Sequence, residues 1–174
     1  MATADQDLYS RQYLDELELP RVIYRCVGKY APADFSAWLD RMRGGENLSV
    51  FVGAASRNQK TALSMREAYE LRNSRHPELP LGGVAIAERH LKNRGEHLKL
   101  IEKTRAGCSF FVSQAVYDLD ASRNLLSDYN YYCKENDQAP RPILFTLTPC
   151  GSRKTLDFMK WLGVSIPVWL ENDL

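Results

Sequence analysis

Short apolar runs alternate with amphipathic segments along most of this chain. The runs are rich in Val, Ile, Leu and Phe and show little alternation with polar residues, which is typical of strands buried on both faces. The sequence predicts strands at 21–25, 49–54, 81–87, 109–114 and 142–147, and a weaker one at 164–166. The spacing of apolar residues between them predicts helices at 33–43, 64–75, 96–105, 121–135 and 155–162.

Residues that favour helix ends support these boundaries. Asp34 and Ser64 are suited to helix starts, and Gly44, Gly107 and Gly163 are suited to helix stops. Strand and helix alternate with a spacing of roughly 30 residues, which is the pattern of repeated βαβ units with a parallel sheet. The sequence therefore predicts an α/β fold.

Length and composition indicate a single globular domain over 1–174. Its first 19 residues form a polar N-terminal segment. The net charge of +1 gives no long-range attraction to nucleic acid, and no apolar run approaches the ~20 residues of a membrane span. The N-terminus is polar and acidic, unlike a secretory signal, and the four cysteines have no paired spacing. We therefore expect reduced thiols and a cytoplasmic location.

Chemistry based on a metal or a nucleophile is the least favoured class. His76, His90 and His97 share no ligand spacing, and no cysteine has an obvious base beside it in the sequence. The sequence predicts no metal site.

Polar residues follow the two central predicted strands. Glu88 and His90 follow the third strand, and Gln114 and Asp118 follow the fourth. Loops at the carboxyl ends of parallel strands converge and carry ligands in α/β proteins. A glutamine amide there offers both a donor and an acceptor to a ligand. The alternatives are that Gln114 only caps its strand and that residues 88–90 form a solvated loop.

The segment 106–118, AGCSFFVSQAVYD, resembles a motif of the methylenetetrahydrofolate reductase family, Ala-Gly-Ala-x-Phe-x-x-Thr-Gln-x-x-Phe-Asp. Residues 86–90, IAERH, resemble the family's Tyr-Pro-Glu-x-His, and 163–169, GVSIPVW, resemble its closing Gly-Val-x-Ile-Pro-x-Trp. The resemblance spans 20–170 and is strongest over 81–118.

The resemblance implies a flavin-dependent (β/α)8 TIM barrel, of which this chain supplies about six βα units without the first strands and the last. His90, Glu96 and Lys103 would hold FAD, Gln114 would bind the pterin of folate, and Met159 would contact substrate. The implied reaction reduces methylenetetrahydrofolate to methyltetrahydrofolate with NAD(P)H. Without the family, Glu96, Lys99 and Lys103 are explained by helix electrostatics, and Met159 by an apolar helix face.

Two departures leave the catalytic residues unassigned. The family's fourth strand ends in Arg-Gly-Asp, whereas residues 53–56 here read GAAS, and the family's first-strand Glu has no equivalent. Proton delivery needs a positioned acid. The alternative function is a non-catalytic or shortened relative that binds flavin or folate, or completes a barrel with a partner chain. The unpaired edges of an open parallel sheet favour a homo-oligomer.

Overall fold

Five short strands alternate with helices in the computed structural model, which describes residues 21–42, 48–53 and 61–174. The strands are β1 (Val22–Cys26), β2 (Leu48–Val52), β3 (Leu81–Ala85), β4 (Phe110–Ala115) and β5 (Ile143–Thr146). The helices within the described residues are α1 (Pro32–Arg41), α2 (Met65–Arg75), α3 (Ala87–Asn93), α4 (Glu96–Arg105), α5 (Leu119–Glu135), α6 (Arg153–Trp161) and α7 (Val168–Asn172), with a 3-10 turn at Val27–Lys29.

In the first part of the chain β1 pairs with β2, and in the second part β3 pairs with β4 and β4 with β5, so the strands that pair are neighbours in the chain. Val22 lies opposite Leu48 in the parallel β1–β2 pair, and Gly82 lies opposite Phe110 in the parallel β3–β4 pair. The parallel β4–β5 pair has an irregularity between Val112 and Ala115. The predicted α/β class with a parallel sheet is confirmed, and closure into a TIM barrel stays a prediction.

The chain divides into two compact units, Met1–Pro80 and Leu81–Leu174. Aromatic side chains form the core of the first unit. Phe35 and Trp38 on α1 pack on Phe51 of β2, with ring centroids 5.2 Å apart for Phe35 and 6.1 Å apart for Trp38. Edge-on and tilted arrangements of this kind are favourable for aromatic rings. The single-domain assignment stays a prediction.

The second unit has its core between the strands and helices α4 and α5. Phe111 of β4 meets Tyr129 of α5 edge-to-face, with ring centroids 6.4 Å apart, and Leu100 of α4 is fully buried. Gly83 of β3 is needed for close packing, because a Cβ there would lie 3.1 Å from the Lys103 side chain. The missing Cβ allows Lys103 to lie across the strand.

Most predicted helix ends are confirmed within one or two residues. Ser64 caps α2: its hydroxyl accepts a hydrogen bond from the Glu67 N–H, and the Glu67 carboxylate accepts one from the Ser64 N–H. This reciprocal pair satisfies two backbone donors at the helix start. Gly107 and Gly163 follow α4 and α6 with φ values of 108° and 80°, where a Cβ would be strained.

Two sequence predictions are wrong in this part of the chain. Residues 164–166 form no strand, because the Val164 N–H bonds to Met159 at the end of α6 and Pro167 then starts α7. Residues 87–93 form helix α3 where we expected a polar loop. With Leu91 as its one large apolar side chain, α3 has too weak an apolar pattern for the sequence to indicate a helix.

The predicted element at 33–43 matches α1, which starts at Pro32, a favoured residue for the first turn. Arg43 and Gly44 lie outside the described residues, as do Ala54, Ala55 and Ser56 and the polar segment 1–19. Among the described helices, none combines the length and the apolar character needed to cross a membrane.

Tyr129 and Tyr131 form a matched pair on α5, because one is 2% exposed and the other 63%. Tyr129→Ala removes a buried ring and a hydroxyl that accepts the Arg141 N–H. We expect the variant to lose about 3–5 kcal/mol of unfolding free energy, since the change leaves a cavity. Tyr131→Ala should change it by less than about 0.5 kcal/mol. Urea unfolding of both variants measures the difference, and equal losses would contradict the packing described here.

The Ser64 cap predicts a pH-dependent stability. Hydrogen bonds from Ser64 lower the pKa of Glu67, so this contribution is present above the carboxyl's ordinary pKa and is lost as the pH falls through its folded value. Ser64→Ala should lower Tm by about 2–4 °C at neutral pH. The difference from wild type should shrink in acid. Ser74→Ala on the same helix is the control, and thermal melts between neutral and acidic pH compare the three proteins.

Candidate functional site

The carboxyl ends of β3, β4 and β5 surround a small cavity in the second unit. Its volume is about 10 Å³, enough for one water molecule. Glu88, Ser113, Gln114 and Phe145 contribute to its walls. We call the surface formed by Glu88, Gln114, Leu162 and Ser165 the strand-end site. The sequence analysis predicted that a ligand binds at this edge of the sheet.

Gln114 is held in place at this edge by one hydrogen bond. Its Nε2 donates to the Leu162 carbonyl oxygen over 2.8 Å, and the side chain is half-buried. A glutamine amide has two N–H donors and an acceptor oxygen, so one contact with Leu162 leaves capacity for a ligand. Gln114 therefore contacts the end of α6 rather than only its own strand.

The irregularity in β4 sets the direction of Gln114. Thr146 of β5 donates its backbone N–H to the Ser113 hydroxyl and its own hydroxyl to the Ser113 carbonyl, both over 2.9 Å. Side-chain hydrogen bonds thus replace regular ladder bonds next to Gln114. Irregularities of this kind redirect side chains near functional sites.

Two further hydrogen bonds connect the loops around the strand-end site. The Ser165 N–H donates to the Glu88 carboxylate over 3.4 Å, and the Tyr117 hydroxyl donates to the Thr148 carbonyl over 2.7 Å. Ser165 follows α6, and Glu88 lies in the first turn of α3. The segment after α6 is therefore attached to the ends of both β3 and β4.

Exposed aromatic side chains lie on α6, the helix that carries Met159. Phe158 and Trp161 stack with centroids 6.0 Å apart, and both are largely exposed. Met159 is half-buried, and its carbonyl accepts the Val164 N–H. Gln114 bonds to Leu162, the residue that ends this helix. The two residues predicted to bind substrate are thus connected through α6.

His90 does not lie in a loop at the strand end, where the sequence placed it. It lies on α3, its ring is 1% exposed, and its Nε2 is 3.0 Å from the Asp128 carboxylate on α5. Arg94 also donates to Asp128, over 2.9 Å. This guanidinium lowers the pKa of Asp128, with a further lowering by His90. The carboxylate is therefore ionised at neutral pH.

Glu96 and Lys103 lie on α4 and face protein groups. Glu96 is fully buried, and its carboxylate accepts a hydrogen bond from Lys99 over 3.2 Å. Lys103 donates to the Val84 carbonyl of β3. Burial lowers the pKa of Lys103, while the nearby Glu96 acts in the opposite direction. Both side chains thus contribute to the packing of α4 on the sheet.

The three residues predicted to hold FAD do not form an open cradle in this arrangement. His90 faces Asp128, Glu96 faces Lys99, and Lys103 faces a strand carbonyl. A flavin would need at least one of them to exchange its protein partner. The FAD contacts of these three residues therefore stay a prediction.

The first unit contains a polar cleft that the sequence did not indicate. Its volume is about 230 Å³, and its walls include Arg25, Lys29, Asp34 and Trp38. The Arg25 guanidinium lies 4.4 Å from the Trp38 ring centroid and donates to the Tyr30 hydroxyl over 2.6 Å. A cation over an aromatic ring is a favourable contact. A buried arginine inside a predicted strand was the available signal.

No family model and no curated protein matches this chain. A solved structure does match, that of an uncharacterised protein from Clostridium thermocellum that binds two copies of 5-methyl-5,6,7,8-tetrahydrofolic acid. The TM-score is 0.91 and the sequences are 54% identical. The match covers 98% of this chain and 58% of that one, so this chain spans little more than half the length of that protein.

Proposed function

We propose that this chain binds a reduced folate of the 5-methyltetrahydrofolate class. The observation that carries the proposal is its 54% identity, over nearly its whole length, to a protein that binds this compound. The TM-score of 0.91 indicates that the two backbones agree closely over the matched residues. Folate binding was one of the two functions expected from the sequence.

Gln114 is the residue we assign to the pterin ring. It stands at the carboxyl end of a parallel strand, where α/β proteins bind ligands. A pterin presents an edge of mixed donors and acceptors, and an amide can pair with both kinds of group. The cavity of about 10 Å³ is too small for the ring. The pterin would therefore lie on the open side of Gln114, toward the exposed aromatic residues of α6.

The second candidate is the FAD-dependent reductase that oxidises NAD(P)H and forms methyltetrahydrofolate. The observation that favours it is the position of Glu96 and Lys103 on one helix, where electrostatic coupling between them affects the pKa of Lys103. FAD would supply the hydride chemistry, and the chain would bind and orient it. Folate binding requires fewer changes in the contacts described above, so we rank it first.

Both candidate functions are compatible with association with another polypeptide chain. Leu144 and Phe145 of β5 are exposed, as are Trp161 and Trp169 on the last two helices. Exposed large apolar side chains of this kind favour contact with another polypeptide. A homo-oligomer is the partner we propose, in agreement with the expectation for an open parallel sheet.

Substitution of Gln114 tests the folate assignment. Gln114→Glu replaces a donor with an acceptor, so it should weaken 5-methyltetrahydrofolate binding about 5- to 150-fold, corresponding to ~1–3 kcal/mol for an unmade buried hydrogen bond. Gln138→Glu is the matched control, because it makes the same chemical change in the turn after α5. Isothermal titration calorimetry compares both variants with wild type.

The outcomes distinguish the role of Gln114 from the ability of the chain to bind folate. Equal affinities for wild type and Gln114→Glu would make Gln114 a contact of α6 alone and leave the folate proposal intact. Absence of binding by the wild-type chain would contradict the proposal itself. Thermal melts of the variants check that loss of the Leu162 hydrogen bond has not unfolded the protein.

Flavin binding is tested separately. If FAD binds as the second candidate requires, the chain should retain flavin absorbance after gel filtration. Lys103→Met should then lower its affinity at least about tenfold, through loss of a charged hydrogen-bond donor. Lys134→Met, at an exposed lysine near the end of α5, is the control. A colourless wild-type protein after incubation with FAD would remove this candidate.

A further inference from the structure

Three side chains from three helices bring metal-ligating atoms together in the second unit. His90 lies on α3, His97 on α4 and Asp128 on α5, and one ligand atom from each lies within 4.8 Å of the others. The His90 Nε2 is 3.0 Å from the Asp128 Oδ2, and the two imidazole rings stand edge-to-face at 5.3 Å. We call these residues the His-His-Asp cluster.

We propose that the His-His-Asp cluster binds one divalent ion of the zinc class. Two imidazole nitrogens and one carboxylate oxygen form a ligand set that zinc uses in sites that keep a fourth position for water. The mixed nitrogen and oxygen set disfavours magnesium and calcium, which prefer oxygen ligands. The ion would connect α3, α4 and α5, and this role is separate from folate binding at the strand-end site.

The distances in the cluster are compatible with an ion after a small inward movement. Zinc bonds of about 2.0–2.2 Å in a tetrahedral arrangement place ligand atoms roughly 3.4 Å apart. The His90–Asp128 pair is already near this separation. The widest separation in the cluster, at most 4.8 Å, would have to close by at most about 1.4 Å. Side-chain rotation can supply this movement without a change of the helices.

The hydrogen bonding of the two histidines supports the proposal. The Nδ1 atom of His90 is buried and has no hydrogen-bond partner among the described residues, whereas the His97 ring makes a hydrogen bond with the Arg94 backbone. Buried polar atoms without partners are rare and unfavourable. The hydrogen bond at one ring nitrogen of His97 leaves its other nitrogen to ligate an ion, as is usual for metal-bound histidines.

Arg94 is the group that opposes a cation at this place. Its guanidinium donates to both carboxylate oxygens of Asp128, over 2.9 and 3.3 Å. The Arg94 side chain is 75% exposed, so it can leave the carboxylate and remain solvated. The cluster would therefore exchange an arginine for a metal ion at Asp128. Removal of Arg94 should therefore change the affinity for a metal ion, an effect that is not expected if His90 and Asp128 form only a structural pair.

Metal titration of the chain without an affinity tag tests the proposal. After treatment with a chelator, the protein should bind one equivalent of Zn²⁺ by calorimetry, and Co²⁺ should give the visible spectrum of a four-coordinate site. Tm should rise by about 5–10 °C at a free Zn²⁺ concentration a hundredfold above Kd. Mg²⁺ should have no such effect. His97→Gln and Asp128→Asn should each weaken Zn²⁺ binding by more than about tenfold.

The Zn²⁺ affinity of the Arg94→Gln variant gives a more specific test than the loss of a ligand. Removal of the competing guanidinium should tighten Zn²⁺ binding about two- to fivefold. Arg123→Gln is the matched control, because Arg123 is an exposed partner of Asp120 on α5 and does not contact the cluster. Unchanged affinity in Arg94→Gln would contradict an ion at Asp128. Binding that persists in His97→Gln and Asp128→Asn would place the metal outside the His-His-Asp cluster and overturn the proposal.

Discussion

Parallel pairing of β3, β4 and β5 is the constraint on which the strand-end site depends. In a parallel sheet every strand ends at the same edge, so residues distant in the sequence meet there. Glu88, Gln114 and Thr146 follow or end three such strands and share this edge for that reason alone. The irregularity at Ser113 then determines the local direction of β4. Gln114 reaches the end of α6 because both conditions are met.

The helices of the second unit bury polar groups, and burying such groups is unfavourable unless they have partners. His90 and Glu96 are almost completely buried, and each has a charged partner that is more exposed: Asp128 for His90 and Lys99 for Glu96. An ionic group in the interior is tolerated when such a partner stabilises it. These pairs join α3 to α5 and close the first turn of α4. The same contacts that stabilise the helices therefore occupy the side chains predicted to hold a flavin.

The sequence predicted those parts of the fold that local rules determine. Ser64 and the glycines at positions 107 and 163 mark helix ends through contacts within a few residues, and the structure confirms them. The buried strands were visible because parallel strands are apolar on both faces. The place of Gln114 at a strand end followed from the same pattern. Its bond to Leu162 did not, because it joins residues 48 positions apart.

Features that depend on tertiary contacts were missed for a physical reason. Helix α3 has one large apolar side chain and ends at Arg94 in the left-handed conformation, so its helical state depends on packing against α5. That packing turns His90 away from the strand end and toward Asp128, 38 residues later. Spacing along the chain shows no ligand pattern among His90, His97 and Asp128, since each belongs to a different helix. The chemistry at His90 is thus determined by whether residues 87–93 are a loop or a helix. As a loop, they would carry the imidazole to the strand-end site; as a helix, they place it in a buried cluster with a second imidazole and a carboxylate.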